Sequence, residues 1–172
     1  MPVTRVVSLN DVEPLARLVT ANRDYLAPWS PLQDDAYFTV RGQREVLGRD
    51  LWAYERGAML PLAILDSGGE VCGRINLNSI IRGAFQGASV GYWVSQSHAG
   101  RGIASAAVAE VMDIAFEQLG LHRLEAGTLL HNTPSQRVLA RNGFRPFAVA
   151  EAYLRIAGRW QDHILFSRLN RN

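Results

Sequence analysis

Val90-Gly91-Tyr92-Trp93-Val94-Ser95-Gln96-Ser97-His98-Ala99-Gly100-Arg101-Gly102-Ile103-Ala104 is the stretch on which the reading of this chain turns. Val90 to Val94 is β-branched and aromatic, which is the composition of a strand. Two glycines then bracket Arg101, and an apolar-periodic segment follows at once. A strand feeding a glycine-containing turn that opens a helix is a place to hold phosphate. The first amides of a helix have no internal partner, and the helix dipole adds partial positive charge there. Glycine lets backbone approach an anion with no side chain in the way. The spacing is not a dinucleotide GxGxxG, because no third glycine follows, and no P-loop Gly-Lys-Ser/Thr is present. Taken alone, the pattern reads more readily as a plain structural turn.

Downstream, Arg101 to Leu119 is a helix pattern with Ile103, Ala107, Val111, Ile114, Ala115 and Leu119 on one apolar face, ended by Gly120. Arg123 to Leu130 is the next strand. His131-Asn-Thr-Pro-Ser-Gln then opens a shorter helix, with Thr133 as expected cap, Pro134 at its first position and Asn142-Gly143 at its end. Phe144 to Ile156 and Trp160 to Ser167 form two strands around Ala157-Gly158. Upstream, Val3 to Leu9 is a strand. Asn10 or Asp11 is expected to cap a helix over Val12 to Thr20. Tyr25 and Trp29 sit in a loop punctuated by Pro28 and Pro31. Val40 to Tyr54 is a second helix. Ala58 to Leu65 and Val71 to Ser79 are strands joined by Asp66-Ser-Gly-Gly, a hairpin signal.

The order β-α-α-β-β-β-α-β-α-β-β predicts one mixed α/β (α+β) domain over residues 1–172. A strand–helix–strand crossover from Val90 to Leu130 makes those two strands parallel if they are neighbours. The remaining hairpins are antiparallel, with helices on both faces. The 172 residues, 48% hydrophobic and 20% charged, suit an ordinary globular core. A net charge of +2 is too small to argue for direct nucleic-acid binding. There is no bilayer-length apolar run, so no membrane partner is expected and a cytoplasmic location is. Cys72 is the one cysteine, which excludes an intrachain disulfide and a cysteine metal cluster; it reads as a small buried residue.

Five motifs now stand in order: Asn22-Arg-Asp-Tyr-Leu-Ala-Pro-Trp29; Ile80-Ile-Arg-Gly-Ala-Phe85 with Gly91-Tyr-Trp-Val94; Gly100-Arg-Gly-Ile-Ala104; His131-Asn-Thr-Pro-Ser135 with Leu139-Ala-Arg-Asn-Gly-Phe144; and Tyr153-Leu-Arg-Ile-Ala-Gly-Arg-Trp-Gln-Asp-His163. Together they resemble the GNAT superfamily of acyl-CoA-dependent N-acetyltransferases. The likeness is narrower to the RimJ/RimL group, which acetylates N-terminal amines of ribosomal proteins, and within it to the RimJ branch. Two departures stand out. The superfamily loop begins Gln/Arg-x-x-Gly, where this chain has Ser97. Related proteins often carry a carboxylate where this chain has Ala152, and Glu151 lies one step along a strand, toward the other face.

The resemblance implies a GNAT-like sheet with a splayed central parallel pair and acetyl-CoA as co-substrate, without a metal. It implies that Gly100, Arg101, Gly102, Ile103 and Ala104 hold the pyrophosphate. The pantetheine arm would pair with an edge near Trp93 and Val94, with Asn132 hydrogen-bonding it. Val94 N–H would polarise the thioester oxygen, and Ser135 would assist the departing sulfur. The acceptor would meet Tyr25, Trp29, Asn76, Asn78, Arg82, Phe85 and Tyr92. Glu151, Asp162 and His163 are candidate proton relays, each also readable as structural. The implied acceptor is a protein N-terminal α-amine, possibly ribosomal. Alternatives are a small amine (antibiotic, polyamine or aminoacyl-nucleotide), or a CoA-binding regulatory or ribosome-assembly role with vestigial catalysis. A homodimer is left open.

Overall fold

The computed structural model describes residues 3–171. Its strands are β1 (Thr4–Val6), β2 (Leu60–Leu65), β3 (Val71–Ile81), β4 (Gly87–Val94), β5 (Arg123–Leu129), β6 (Arg145–Ile156) and β7 (Arg159–Leu169). Its helices are α1 (Val12–Ala21), α2 (Arg23–Leu26), α3 (Val40–Glu55), α4 (Ile103–Asp113) and α5 (Thr133–Arg141). The strands form one sheet in the order β1-β2-β3-β4-β5-β7-β6.

The hairpins form where their turn chemistry directs. The Asp66 carboxylate accepts Gly68 N–H at 2.8 Å and Glu70 N–H at 3.0 Å, fixing the β2–β3 turn. Ala157 and Gly158 both have positive φ, +49° and +82°, which matches the right-handed twist of β6 and β7.

β4 and β5 are the one parallel pair, and they pair only at Gly87–Arg123, Ala88–Leu124 and Ser89–Glu125. Beyond that, β4 continues to Val94 and β5 to Leu129 with no register between them. The separation therefore begins at Val90, earlier than expected near Trp93.

Register alternates the packing. Leu62, Ile75 and Tyr92 lie across from one another, as do Ala63, Arg74 and Trp93 one step along. Leu62 and Ile75 are buried with Ala107, Val108 and Val111 of α4 and with Ala115 just beyond it. Ala63 is buried with Val12 and Leu15 of α1 and Leu47 of α3, and Trp93 packs against that group. Helices thus cover both faces, and each fully buried leucine contributes roughly 1.5–3 kcal/mol.

Several expected boundaries shift for local reasons. β1 ends at Val6 because Leu9–Asp11 turns as a 3-10 helix. Asp11 occupies the N-cap position of α1, but its carboxylate turns back to accept Ser8 N–H at 2.8 Å and bind Arg5 at 2.7 Å instead of bonding the helix amides. The proline-punctuated segment holds α2 and a 3-10 turn at Ala27–Trp29 rather than open loop. β4 starts at Gly87, three residues before its β-branched run. The helix expected from Arg101 begins at Ile103, since Gly102 has φ +80°. Its end loosens into a π-helical turn, Ile114–Gln118, before Gly120 (φ +62°) stops it. At α5 the cap is Asn132, not Thr133, so Pro134 is second in the helix.

Candidate active site

The β4 edge facing the gap can be assigned atom by atom. Ser95 N–H donates to Cys72 O of β3 at 2.8 Å. Backbone groups alternate sides along a strand, so Trp93 N–H also points to β3, while Tyr92 and Val94 N–H point away from it, into the gap. Val94 N–H thus faces the gap and Trp93 N–H faces away from it. The Trp93 backbone is committed to β3, and its side chain lines a cavity on the α1–α3 side. Buried Cys72 beneath this edge has its thiol pushed up to about 11, chiefly by desolvation, so it stays protonated and inert.

At the end of β4 lies the phosphate-type turn. Gly100 and Gly102 have φ +75° and +80°, a region where side chains are strained. A Cβ at either would meet nothing within 4 Å, so the space beside them is open. The first bond of the α4 ladder runs from Ala106 N–H to Gly102 O. Ile103, Ala104 and Ser105 N–H precede it and are available to an anion. Arg101 is exposed on the same turn and lines a shallow surface hollow with Asp66 and His98. The turn itself is pinned from behind. Ser95 Oγ and His98 Nδ1 lie 2.8 Å apart, His98 Nε2 is 3.4 Å from the Asp66 carboxylate, and Gln96 N–H donates to Asn22 Oδ1 at 2.8 Å.

Across the gap stands the start of α5. Asn132 Oδ1 accepts Ser135 N–H at 3.3 Å, so Asn132 serves as cap while its amide NH2 remains for another partner. Ser135 Oγ is 2.8 Å from the Tyr92 hydroxyl, which also lies 3.2 Å from Ser135 O. Burial pushes the Tyr92 phenol up to about 12. Tyr92 lies on the α4 side with Ile75, on the face opposite Asn76 and Asn78, and bridges to Ser135.

The other face carries the acceptor candidates. Asn76 and Asn78 share that face with Arg74. Arg74 donates to Asn76 Oδ1 at 3.0 Å and pairs with Asp50 of α3 at 2.9 Å, both partners largely buried. Asn78 and Phe85 line a cleft of about 500 Å³ with Ser89, Gly91 and Tyr153. A neighbouring cavity of about 390 Å³ is bounded by Val19, Leu26, Tyr37, Phe38 and Trp93. Neither Tyr25 nor Trp29 lines it. Tyr25 is half-buried on α2, and Trp29 packs on His131 at 5.4 Å between ring centres. Arg82 leaves the acceptor side, because its guanidinium donates to Leu119 O at 2.6 Å and so caps the end of the α4 segment. The loop after α2 crosses to the final hairpin, where Ala157 N–H donates to Ser30 O at 2.9 Å.

Two of the three expected relays, Asp162 and His163, have structural partners. Asp162 accepts Ala152 N–H at 2.8 Å. His163 is buried, and its Nδ1 lies 2.9 Å from Gln161 O; a carbonyl only accepts, so Nδ1 carries a hydrogen and donates it there. Glu151 is exposed. Glu151 and Ala152 do not alternate as in a regular strand, because β6 bulges between Ala150 and Leu154, with Ala152 at φ +45°. The bulge brings Tyr153 against His163, 5.6 Å between rings. Asn22, Arg74 and Asp50 were missed as contributors. Arg74 as the one charged residue of β3 was the available signal for the last two.

An open strand edge at a parallel splay, with a glycine-led helix at one end and a capped serine across it, is the arrangement of an enzyme that holds an acyl thioester. A family model described as an acetyltransferase (GNAT) domain matches residues 3–145, and the chain belongs to that family of N-acetyltransferases, which use acetyl-CoA. It is 36% identical over 167 residues to a probable N-acetyltransferase, YjcK, of Bacillus subtilis, covering 96% of this chain and 92% of that one. It is 30% identical to the ribosomal protein uS5-alanine N-acetyltransferase of Escherichia coli, covering 95% and 84%. The structure of Mycobacterium smegmatis RimJ in complex with CoA-disulfide superposes with a TM-score of 0.93 at 34% identity, covering 96% of this chain and 80% of that one.

Proposed function

We propose that this N-acetyltransferase transfers the acetyl group of acetyl-CoA to the α-amine of a protein N-terminus, a ribosomal protein being the first candidate. The observation that carries the reading is the open β4 edge, Val90 to Val94, with Val94 N–H directed into the gap and Ser135 opposite. On this reading the α4 amides and Gly100 to Ala104 receive the pyrophosphate, and Asn132 contacts the pantetheine arm. Val94 N–H hydrogen-bonds the thioester oxygen as negative charge develops on it. The neutral amine forms the new N–C bond, the C–S bond breaks with its electron pair on sulfur, and the amine's proton passes to solvent. A thiol of ordinary pKa near 8.5 leaves as thiolate with modest help, which a Ser135 hydrogen bond supplies.

The choice of an α-amine rests on the acceptor side. Asp50 is paired with Arg74, Glu125 with Arg123 at 2.6 Å, and Asp162 is bonded to Ala152 N–H. Among the described residues these three carboxylates are held by partners, which makes each a poor base. An α-amine, with a pKa of about 7.7–8.0, gives up its proton far more easily than a lysine at about 10.4. The similarity to the uS5-alanine enzyme supports the same choice.

The test offers acetyl-CoA with a peptide beginning in alanine, and separately with an N-blocked peptide carrying one lysine. Mass spectrometry is expected to find acetylation of the first alone. Acetylation of the lysine peptide, or of small amines in preference to both, would overturn the reading.

A further inference from the structure

We propose that Tyr92 is a positioning residue that turns the Ser135 hydroxyl hydrogen toward the departing sulfur. The inference rests on the proposed role of Ser135 and goes beyond it. A serine hydroxyl has one hydrogen and two lone pairs. With no donor nearby, that hydrogen is free to settle on any local acceptor. Here the Tyr92 hydroxyl sits 2.8 Å from Ser135 Oγ. When Tyr92 donates to Oγ, the Ser135 hydrogen must point elsewhere. The same hydroxyl lies 3.2 Å from Ser135 O, so the alternative orientation has a place to go when the sulfur is absent.

The geometry favours a built contact over a chance one. Tyr92 belongs to β4 and Ser135 to the first turn of α5, 43 residues apart. The contact spans the two walls of the gap that the thioester must enter. The ring of Tyr92 packs into the α4-side core, which fixes the position of its hydroxyl. Burial keeps the phenol protonated at neutral pH, so it always has a hydrogen to donate. No proton leaves Tyr92 in the reaction; the bond broken is C–S, the bond formed is N–C, and the amine's proton goes to solvent.

The experiment is a double-mutant cycle on the full chain with Tyr92→Phe, Ser135→Ala and both together. CoA thiol release is followed with the alanine peptide and with hydroxylamine as a generic acceptor. Tyr92→Phe keeps the ring and is expected to lower kcat about 5-fold with the KM for acetyl-CoA unchanged, as the loss of one hydrogen bond made at the transition state predicts. Ser135→Ala is expected to lower it about 10-fold, and the double variant no further. Multiplicative losses, an unchanged kcat in Tyr92→Phe, or a change confined to KM would overturn the proposal. If Tyr92→Phe fails to fold, then a Ser135→Ala variant with wild-type kcat overturns it, and one with a 10-fold loss whose deuterium-solvent effect on kcat disappears supports it. Wild-type turnover of hydroxylamine but not peptide would sink only the N-terminal acceptor. Silence with both would sink this proposal together with the transferase reading.

Discussion

Asn22 Oδ1 accepts the backbone N–H of Gln96 at 2.8 Å across 74 residues of sequence. This single bond ties the end of α1 to the turn that leads from β4 to the phosphate-type loop. Asn22 is buried, and its amide NH2 also donates to Leu18 O at 2.8 Å.

Replacing Asn22 with alanine leaves Gln96 N–H without its acceptor at a part-buried contact. The expected cost is about 1 kcal/mol. For a chain of this length that is a fall in Tm of roughly 2–4 °C per kcal/mol, measured by thermal denaturation. Acetyl-CoA affinity is expected to weaken in the same variant, since the loop loses its anchor.

Gly102→Glu addresses the loop directly. The position has φ +80°, and a side chain there projects into open space beside the first α4 amides. A carboxylate at that place repels phosphate. Calorimetry is expected to detect no binding of CoA, while Tm falls only slightly, by the roughly 1 kcal/mol that a left-handed non-glycine residue costs. Unchanged binding would refute the loop assignment.

Much of this site was legible in the residues, and the reasons differ by element. Turn chemistry located the two hairpins, because Asp66-Ser-Gly-Gly and Ala157-Gly158 answer to local rules. The crossover from β4 to β5 was forced by connectivity. Which way a side chain faces was harder. Tyr92 and Trp93 adjoin in sequence and look alike, yet one bridges to Ser135 and the other lines the cavity on the α1–α3 side. Their sides are set by register against β3, a non-local property. The bulge at Ala152 was not legible, since nothing in its composition demands φ +45°. Arg82 looked like an acceptor contact because its partner, Leu119 O, is a backbone atom invisible to any motif.

The Arg74–Asp50 pair is largely buried, with side chains 8% and 18% exposed. Asp50→Ala strands the guanidinium beneath α3. The expected destabilisation is about 3–5 kcal/mol by urea or thermal unfolding, because the remaining charge stays buried. Asp50→Ala paired with Arg74→Met is expected to recover most of it.

Acid should weaken the β1–α1 junction. Burial by itself would push the Asp11 carboxyl up, but Arg5 and the Ser8 N–H together outweigh it and hold it below its ordinary value. A carboxyl lowered on folding adds stability in full above its unfolded pKa of about 3.9 and loses it as pH falls through the lower folded value. Wild type and Asp11→Asn are therefore expected to differ in Tm at pH 7 and to converge as the pH falls below about 4. A difference that does not change with pH would contradict this assignment.

Backbone alternation at the open strand edge underlies the proposed donor site, and amide hydrogen exchange read residue by residue by NMR tests it most directly. On addition of acetyl-CoA, Tyr92 and Val94 N–H are expected to slow, while Trp93 N–H, already directed to β3, changes little. Slowing confined to Trp93, or no slowing along β4 at saturating acetyl-CoA, would contradict the claim that this edge holds the acyl donor.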